Sequence, residues 1–253
     1  MTEKRYAAIV DVETTGLSPR EDEITEIGIL QFCYRGLERP VITKSFGAIQ
    51  QVSKALTPEI QKITGLCDDT LQGEKIAWAG VRKILAGVDY VIAHNAAFDR
   101  SFLKRAVLPD GSKLFDGMEV RWACSRVNID WEEKGFKTTA LNYLACDHGF
   151  LNPFAHRALF DCAITYKLIL PYLEELFENA NQPRVRIFAW KAPFAAKDKI
   201  KGRGFHWNAE KKVWFKECLK TKAAPFLEFL EAEVYVGVPW TVKTEDIVYD
   251  DDD

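Results

Sequence analysis

Residues 7–16 read Ala7-Ala8-Ile9-Val10-Asp11-Val12-Glu13-Thr14-Thr15-Gly16. The apolar run that opens this segment is rich in Ile and Val and predicts a buried β-strand. Alternate side chains of a strand share one face, so the carboxylates of Asp11 and Glu13 are predicted to point the same way. Two adjacent like charges are unfavourable unless a cation lies between them, and hard divalent cations prefer oxygen ligands. Gly16 ends the following turn and is free to adopt a positive φ.

Two later segments add carboxylates close to the ends of predicted elements. Asp99 follows a short apolar strand predicted at residues 90–93 and lies in the first turn of the next predicted helix. Asp161 lies on a later predicted helix, five residues after His156. Each feature has a simpler interpretation when taken alone: two solvated acids at a strand end, a helix-dipole partner and a structural histidine.

Together these motifs resemble the DEDD superfamily of 3′→5′ exonucleases, in the subgroup that carries a histidine (DEDDh). That subgroup includes the proofreading subunit of bacterial replicative DNA polymerase and ribonuclease T. The resemblance covers residues 7–176 and rests on Asp-x-Glu, His94-Asn95-Ala96-Ala97-Phe98-Asp99 and His-x-x-x-x-Asp, in that order along the chain. It implies an α/β fold, in which a ribonuclease H-like mixed sheet is flanked by helices and the site lies at the carboxyl end of the first strand.

The resemblance implies hydrolysis of phosphodiester bonds at 3′ ends, with release of nucleoside 5′-monophosphates and with DNA favoured over RNA as the substrate. It also implies two divalent metal ions, Mg²⁺ or Mn²⁺, because two such ions about 3.5–4 Å apart can activate water and stabilise the leaving oxygen. The implied metal ligands are Asp11, Glu13, Asp99 and Asp161. His156 is the implied general base, since a histidine accepts a proton near neutral pH.

A further set of residues is implied to hold the terminal nucleotide. Its members are Thr14, Thr15, Leu17 and Phe98, and core packing remains the alternative for Phe98. Arg157 is expected to be a solvated helix residue, with a phosphate contact as the alternative.

Three other functions stay open. The chain could be an exoribonuclease acting on RNA ends or short oligoribonucleotides, a polymerase-associated proofreading subunit, or a non-catalytic module that binds nucleic-acid ends. The expected partners are nucleic-acid 3′ ends, with DNA polymerase or DNA-repair proteins as further candidates.

Composition narrows the class of protein. The 253 residues are 47% hydrophobic, enough for one sizeable core and a small second one, and the net charge is −3. The six cysteines are scattered without a C-x-x-C pair, which matches neither a zinc site nor a disulfide framework. The sequence contains no apolar run near 18 residues and no signal-peptide pattern. We therefore expect a cytoplasmic protein that does not associate with membranes.

Charge and aromatic residues predict three segments: an exonuclease domain at 1–182, a small basic α+β domain at 183–240 and an acidic tail at 241–253. Residues 184–222 contain 12 Lys or Arg but only 3 Asp or Glu. Aromatic residues are interleaved with these bases and can offer stacking faces along a surface that attracts phosphates. The small domain is therefore a candidate nucleic-acid-binding accessory domain, although its aromatic residues can equally form its core.

Overall fold

The computed structural model describes residues 3–36 and 38–247, and the chain divides into two compact units, Met1–Ala180 and Asn181–Asp253. The first unit is built on a five-stranded mixed sheet in the order β3-β2-β1-β4-β5. Its strands are β1 (Arg5–Thr14), β2 (Ile24–Arg35), β3 (Glu38–Ile49), β4 (Tyr90–Ala93) and β5 (Arg121–Cys124). The first three form an antiparallel meander, and β4 and β5 run parallel to β1.

Seven α-helices of the first unit accompany this sheet in the described residues. They are α1 (Pro58–Thr64), α2 (Asp68–Leu71), α3 (Trp78–Leu85), α4 (Ala96–Leu103), α5 (Leu141–Asp147), α6 (Ala158–Ile169) and α7 (Leu173–Ala180). Helix α1 is capped at Thr57, whose hydroxyl accepts the Ile60 N–H at 3.3 Å, and it ends at Gly65 in the left-handed conformation. Over the described ranges, no helix is both long and apolar enough to cross a membrane.

Alternation along β1 divides the core between the two faces of the sheet. Ala8, Val10 and Val12 pack with side chains of α3 and α4 on one face. Ala7 and Ile9 pack with side chains of α5, α6 and α7 on the other. Asp11 and Glu13 continue this second series, so their carboxylates emerge on the face that α6 covers.

The second unit is a four-stranded antiparallel sheet in the order β7-β8-β6-β9. Its core side chains come from β6 and β8 and from the helical segments, and include Ile187, Ile200, Phe205 and Phe229. Phe205, one of the aromatic residues that the sequence left open, therefore lies in the core. The elements are β6 (Arg184–Ala189), α8 (Lys197–Gly202), β7 (His206–Asn208), β8 (Val213–Leu219), α9 (Ala224–Phe229) and β9 (Val242–Ile247).

The boundaries of this unit differ from those predicted. The first unit ends at Ala180 rather than at residue 182. The predicted acidic tail begins at 241, but β9 pairs along its whole length with β6, with Ile247 opposite Arg184. Charged side chains are common on edge strands, where they leave backbone pairing intact. The acidic composition of this segment therefore did not indicate the strand that it forms. Residues 248–253 of the predicted tail lie outside the described residues.

Candidate active site

Asp11 and Glu13 lie at the carboxyl end of β1, on one face of the sheet. In the antiparallel pairing with β2, Asp11 stands opposite Gly28 and Glu13 stands opposite Glu26. Directly opposed residues share a face, so Glu26 adds a carboxylate beside the two that the sequence singled out. A register shift between Glu13 and Thr14 then ends the regular pairing, at the point where the strand leads into the following loop.

Helix α6 lies directly on the backbone of β2 at Gly28. A Cβ at position 28 would lie 2.3 Å from the carbonyl carbon of Ala158 and 2.4 Å from the nitrogen of Leu159. Gly47, which is opposite Gly28 on β3, meets the Leu159 side chain less closely, at 3.3 Å from a Cβ. Only glycine at position 28 allows the first turn of α6 to approach this closely. That approach brings Asp161 to the face of the β1 carboxylates.

Asp99 reaches β1 from the first turn of α4. Its Oδ1 accepts the backbone N–H of Val12 at 3.0 Å, and the residue is only 3% exposed. The pairing of β1 with β4 ends at Ile9, so the Val12 N–H lies beyond the last residue of β1 that pairs with β4. The hydrogen bond therefore anchors Asp99 between the positions of Asp11 and Glu13 along β1.

His156 and Asp161 are linked through a tight turn that precedes α6. The backbone N–H of His156 donates to Asp161 Oδ2 at 2.9 Å. His156 has φ of 63°, a left-handed conformation uncommon outside glycine, and it is exposed. The other carboxylate oxygen of Asp161 accepts Asn152 Nδ2–H, and the same amide group donates to Asn142 Oδ1 at 3.1 Å. Both oxygens of Asp161 are thereby held in place.

Three of these side chains converge closely enough to share a cation. One potential ligand atom from each of Glu13, His156 and Asp161 lies within 4.8 Å of the other two. Asp11 and Asp99 lie outside this group, but the charges of Asp99, Asp161 and Glu13 all raise the pKa of Asp11. The five side chains therefore act on one another as a single electrostatic cluster.

Burial and mutual repulsion raise the pKa values of the carboxyl groups in this cluster. Burial, followed by the charges of Asp99 and Asp161, raises the pKa of Asp11 well above its ordinary value. Burial, with added repulsion from Asp161 and Glu26, raises the pKa of Glu13 to about 8. Burial raises the pKa of Asp99 to about 7, and it also raises the pKa of Asp161. A divalent cation bound by these carboxylate oxygens would relieve the repulsion between them, so the cluster fits such an ion.

Mg²⁺ is expected to stabilise the protein more strongly at pH 8 than at pH 5. Without metal, the folded protein keeps protons on Glu13 up to about pH 8 and on Asp99 up to about pH 7, whereas ordinary carboxyl groups have pKa values of 4.5 and 3.8. The metal-free protein therefore loses stability as pH rises through this window. A bound cation removes the repulsion, so the gap between thermal midpoints in Mg²⁺ and in EDTA should widen with pH.

The buried imidazole of His94 acts in the opposite direction and has to be separated from this effect. Its Nε2–H donates to the Thr139 carbonyl at 2.7 Å, its Nδ1 lies 2.8 Å from Ser125 Oγ, and burial lowers its pKa to about 4. The unfolded chain gains a proton on this histidine near pH 6.5, so His94 reduces stability as pH falls from there towards 4. Its contribution is the same in Mg²⁺ and in EDTA and cancels in the gap. A gap that is constant or narrows towards pH 8 would contradict the metal assignment.

The four residues predicted to hold a nucleotide differ from one another in their contacts and exposure. The Thr14 hydroxyl donates to the Gly16 carbonyl at 2.6 Å, and the Thr15 hydroxyl accepts the Glu23 N–H at 3.0 Å, so both serve the loop itself. Leu17 is 85% exposed, which leaves its side chain available to a ligand. Phe98 is half-buried and packs on Phe102 with ring centroids 5.0 Å apart, which accounts for it as a core residue.

Several residues of the site escaped the sequence analysis. Glu26 lies among mostly apolar residues of β2, and an acid in such surroundings is a signal that could have identified it. Gly28 likewise interrupts an apolar strand, which commonly marks a close backbone approach. Asn152 carried no recognisable signal. Arg157 is not simply solvated, because its Nε–H donates to Glu26 Oε2 at 3.0 Å.

Comparison with known proteins identifies the family. Residues 8–169 match the exonuclease family RNase_T. The DNA polymerase III PolC-type of Bacillus subtilis (strain 168) is 33% identical over 190 residues, covering 72% of this chain and 12% of that polymerase. The DNA polymerase III subunit epsilon of Aquifex aeolicus (strain VF5) is 23% identical over 171 residues, covering 67% of this chain and 81% of the subunit. The chain thus spans only a small part of the PolC-type polymerase.

A solved structure shows the same architecture. Exonuclease X in complex with 5′ overhanging duplex DNA superposes with a TM-score of 0.50 at 20% identity, covering 69% of this chain and 99% of that one. This likeness confirms the ribonuclease H-like fold of the first unit. The family match covers more than half of the chain and includes every member of the acidic cluster. The chain therefore belongs to the RNase_T family of exonucleases, whose members depend on metal ions.

Proposed function

We propose that this protein is a metal-dependent 3′→5′ exonuclease that hydrolyses terminal phosphodiester bonds of DNA and releases nucleoside 5′-monophosphates. The observation that carries the proposal is the cluster of Asp11, Glu13, Asp99 and Asp161, whose carboxyl pKa values are all raised. Buried acids without a positive partner destabilise a protein. Four of them gathered near one strand end therefore indicate a cation-binding function. DNA is favoured as the substrate because the two relatives described above are DNA polymerase components by name.

The four carboxylates would hold Mg²⁺ or Mn²⁺. Two such ions, when bound, would supply an activated water and stabilise the charge that develops on the departing 3′-oxygen. Asp161 is oriented for this task by the His156 N–H and by Asn152, and Asp99 is oriented by the Val12 N–H. These bonds fix the carboxylates before a substrate arrives, which limits reorganisation during the reaction.

His156 is the group placed to accept the proton of the attacking water. Its side chain is exposed, and its ring lies within reach of Glu13 and Asp161, so solvent and a bound strand can approach it. A histidine near its pKa accepts and releases protons efficiently around neutral pH. The left-handed backbone at this residue turns its N–H onto Asp161, so one residue both orients a metal ligand and presents a base.

Replacing His156 should separate its base function from its backbone conformation. His156→Asn is expected to lower the hydrolysis rate by about 10²–10⁴-fold with little change in stability, because Asn tolerates the left-handed region but is not a base. His156→Ala should lose as much activity and also about 1 kcal/mol of stability, since alanine is strained at φ of 63°. Single-turnover rates and thermal midpoints of the two variants check this. An active Asn variant would exclude His156 as the base.

End-labelled oligonucleotides test the proposed reaction. With Mg²⁺, 5′-labelled DNA should give a ladder that shortens from the 3′ end, while 3′-labelled DNA should release labelled mononucleotide at once. EDTA should stop both. A preference for matched RNA oligonucleotides would replace DNA with RNA as the substrate. Binding without cleavage in either Mg²⁺ or Mn²⁺ would instead indicate a module that binds nucleic-acid ends.

We also propose that the second unit contacts the nucleic-acid strand. Phe194 is 82% exposed, Lys197 Nζ lies 4.7 Å from its ring centroid, and Lys201 follows at a spacing that places it on the same helical face. Trp207, half-exposed on the edge strand β7, offers another stacking face. Exposed aromatic rings flanked by lysines suit a single strand, because bases stack while phosphates meet the cations.

The triple variant Phe194→Ala/Lys197→Ala/Lys201→Ala is expected to weaken single-strand binding by about tenfold or more, as one base stack is worth about 1–3 kcal/mol. Loss of two lysines should also flatten the plot of log affinity against log salt by about 1.4, at about 0.7 per phosphate contact. Fluorescence anisotropy with the full chain in EDTA measures both. Lys243→Ala, exposed on β9, is the control. Unchanged affinity and slope in the triple variant would refute this role.

A further inference from the structure

Glu26 is a fifth carboxylate beside the acidic cluster, and an arginine binds it. Its side chain is only 6% exposed and stands opposite Glu13 in the β1–β2 pairing. Arg157 Nε lies 3.0 Å from Glu26 Oε2 and 3.3 Å from Oε1, so one N–H is shared between the two oxygens. The charge of Glu26 contributes to the raised pKa of Asp11, Glu13 and Asp161. A buried acid in this position would compete with the other four for any bound cation.

Arg157 contacts Glu26 through its side chain and the first turn of α6 through its backbone. Its backbone carbonyl accepts the N–H groups of Phe160 and Asp161 at 2.8 and 3.0 Å, which forms the first turn of the helix. Its side chain reaches from this turn to β2, next to the place where Gly28 meets Ala158. The ion pair therefore ties the segment that bears His156 and Asp161 to the strand beside Glu13.

The two partners differ sharply in their exposure. The Arg157 side chain is 42% exposed, so it can be hydrated if its partner is removed. The Glu26 side chain is buried, so removal of the arginine would leave an uncompensated charge next to Glu13. Breaking a buried pair from one side is far more disruptive than removing both charges together. The two single variants and the double variant should therefore behave very differently.

We propose that Arg157 is a positioning residue of the active site: by binding the buried Glu26 carboxylate, it keeps this fifth acid away from the metal ions. It acts through Glu26 rather than by touching the substrate. The proposal rests on the proposed metal-dependent function of the same site. Glu26 then carries a structural charge that Arg157 neutralises within the protein, whereas the other four carboxylates are neutralised by a bound cation.

Three variants test the assignment: Arg157→Gln, Glu26→Gln and the double variant Glu26→Gln/Arg157→Gln. We expect Arg157→Gln to lower the exonuclease rate by about 20-fold or more, Glu26→Gln to stay within about 3-fold of wild type, and the double variant to recover to within about 5-fold. Calorimetric titration with Mn²⁺ alone should give an altered Mn²⁺ dissociation constant in Arg157→Gln. The double variant should return to the wild-type constant. Arg39→Gln, exposed on β3, controls for the loss of one positive charge.

A double variant as slow as Arg157→Gln would overturn the proposal, because Arg157 would then act on the substrate and not through Glu26. A wild-type rate in Arg157→Gln would overturn it as well. If Arg157→Gln does not fold, the double variant decides alone, by the same 5-fold criterion. Inactive wild-type protein would mean that the proposed function has failed. The Mn²⁺ titration would still test the role of the Arg157–Glu26 pair, because identical Mn²⁺ dissociation constants in all variants would refute that role.

Discussion

Asp11→Asn is expected to reduce hydrolysis by about 10³-fold or more while making the metal-free protein more stable. Loss of a proposed metal ligand should remove several kcal/mol of transition-state stabilisation, and each 1.36 kcal/mol corresponds to about a factor of ten. The stability gain has a separate cause. Burial and the charges of Asp99, Asp161 and Glu13 make the Asp11 carboxylate unfavourable without a cation. An amide of the same shape carries no charge, so it removes that repulsion.

Thermal midpoints in EDTA at pH 8, measured beside Mg²⁺-dependent digestion rates, check both parts of this prediction. We expect a midpoint that is higher by about 3 °C or more, since 1 kcal/mol shifts a unit of this size by roughly 2–4 °C. Asp69→Asn, exposed in the first turn of α2, is the matched control and should change neither quantity. A lower midpoint in EDTA would show that Asp11 is stabilised within the protein and does not await a cation.

Gly28→Ala is expected to have the second-largest effect, although residue 28 carries no chemistry. The new Cβ would lie 2.3 Å from the Ala158 backbone, where neither a side-chain rotation nor a small shift relieves the overlap. The first turn of α6 would have to move away from β2, at about 1–3 kcal/mol of stability. Asp161 and His156 move with it, and a displacement near 1 Å costs about 10²-fold in rate.

Two other glycines calibrate this prediction. Gly47→Ala meets only the flexible Leu159 side chain, at 3.3 Å, and should have a much smaller effect on rate. Gly80→Ala, in the first turn of α3, meets nothing closer than 3.8 Å and should stabilise the protein by about 0.5–1 kcal/mol, because alanine favours helix. Urea unfolding and digestion rates of the three variants are the measurements. A Gly28→Ala protein with wild-type rate and stability would contradict the close contact of α6 with β2.

Local patterns in the sequence were sufficient to predict much of the first unit. The alternation along residues 7–13 predicts that Asp11 and Glu13 share a face, because that depends only on strand geometry. The Thr57 cap and Gly65 likewise mark α1 through contacts within a few residues. The ribonuclease H-like sheet was implied by the resemblance to the DEDDh exonucleases and is confirmed by the family match and the structural likeness.

Features that depend on register or on distant packing could not be predicted. Glu26 faces Glu13 only because of the β1–β2 register, and Arg157 finds Glu26 only once α6 lies on Gly28. The expectation for Gly16 was wrong: its φ lies outside the left-handed region, and a Cβ there would lie 2.4 Å from Asp22 Oδ2. A side chain at position 16 would displace the Asp22 carboxylate, which accepts the Ser18 N–H at 2.9 Å.

The most direct test of the central claim is a crystal structure of the full chain grown with Mn²⁺ and a deoxynucleoside 5′-monophosphate, with anomalous data collected for manganese. We expect two peaks about 4 Å apart or less among Asp11, Glu13, Asp99 and Asp161, with Glu26 bound to Arg157 and not to metal. An acidic cluster without manganese at saturating concentration, or a peak bound through Glu26 in place of Glu13, would contradict the proposed site.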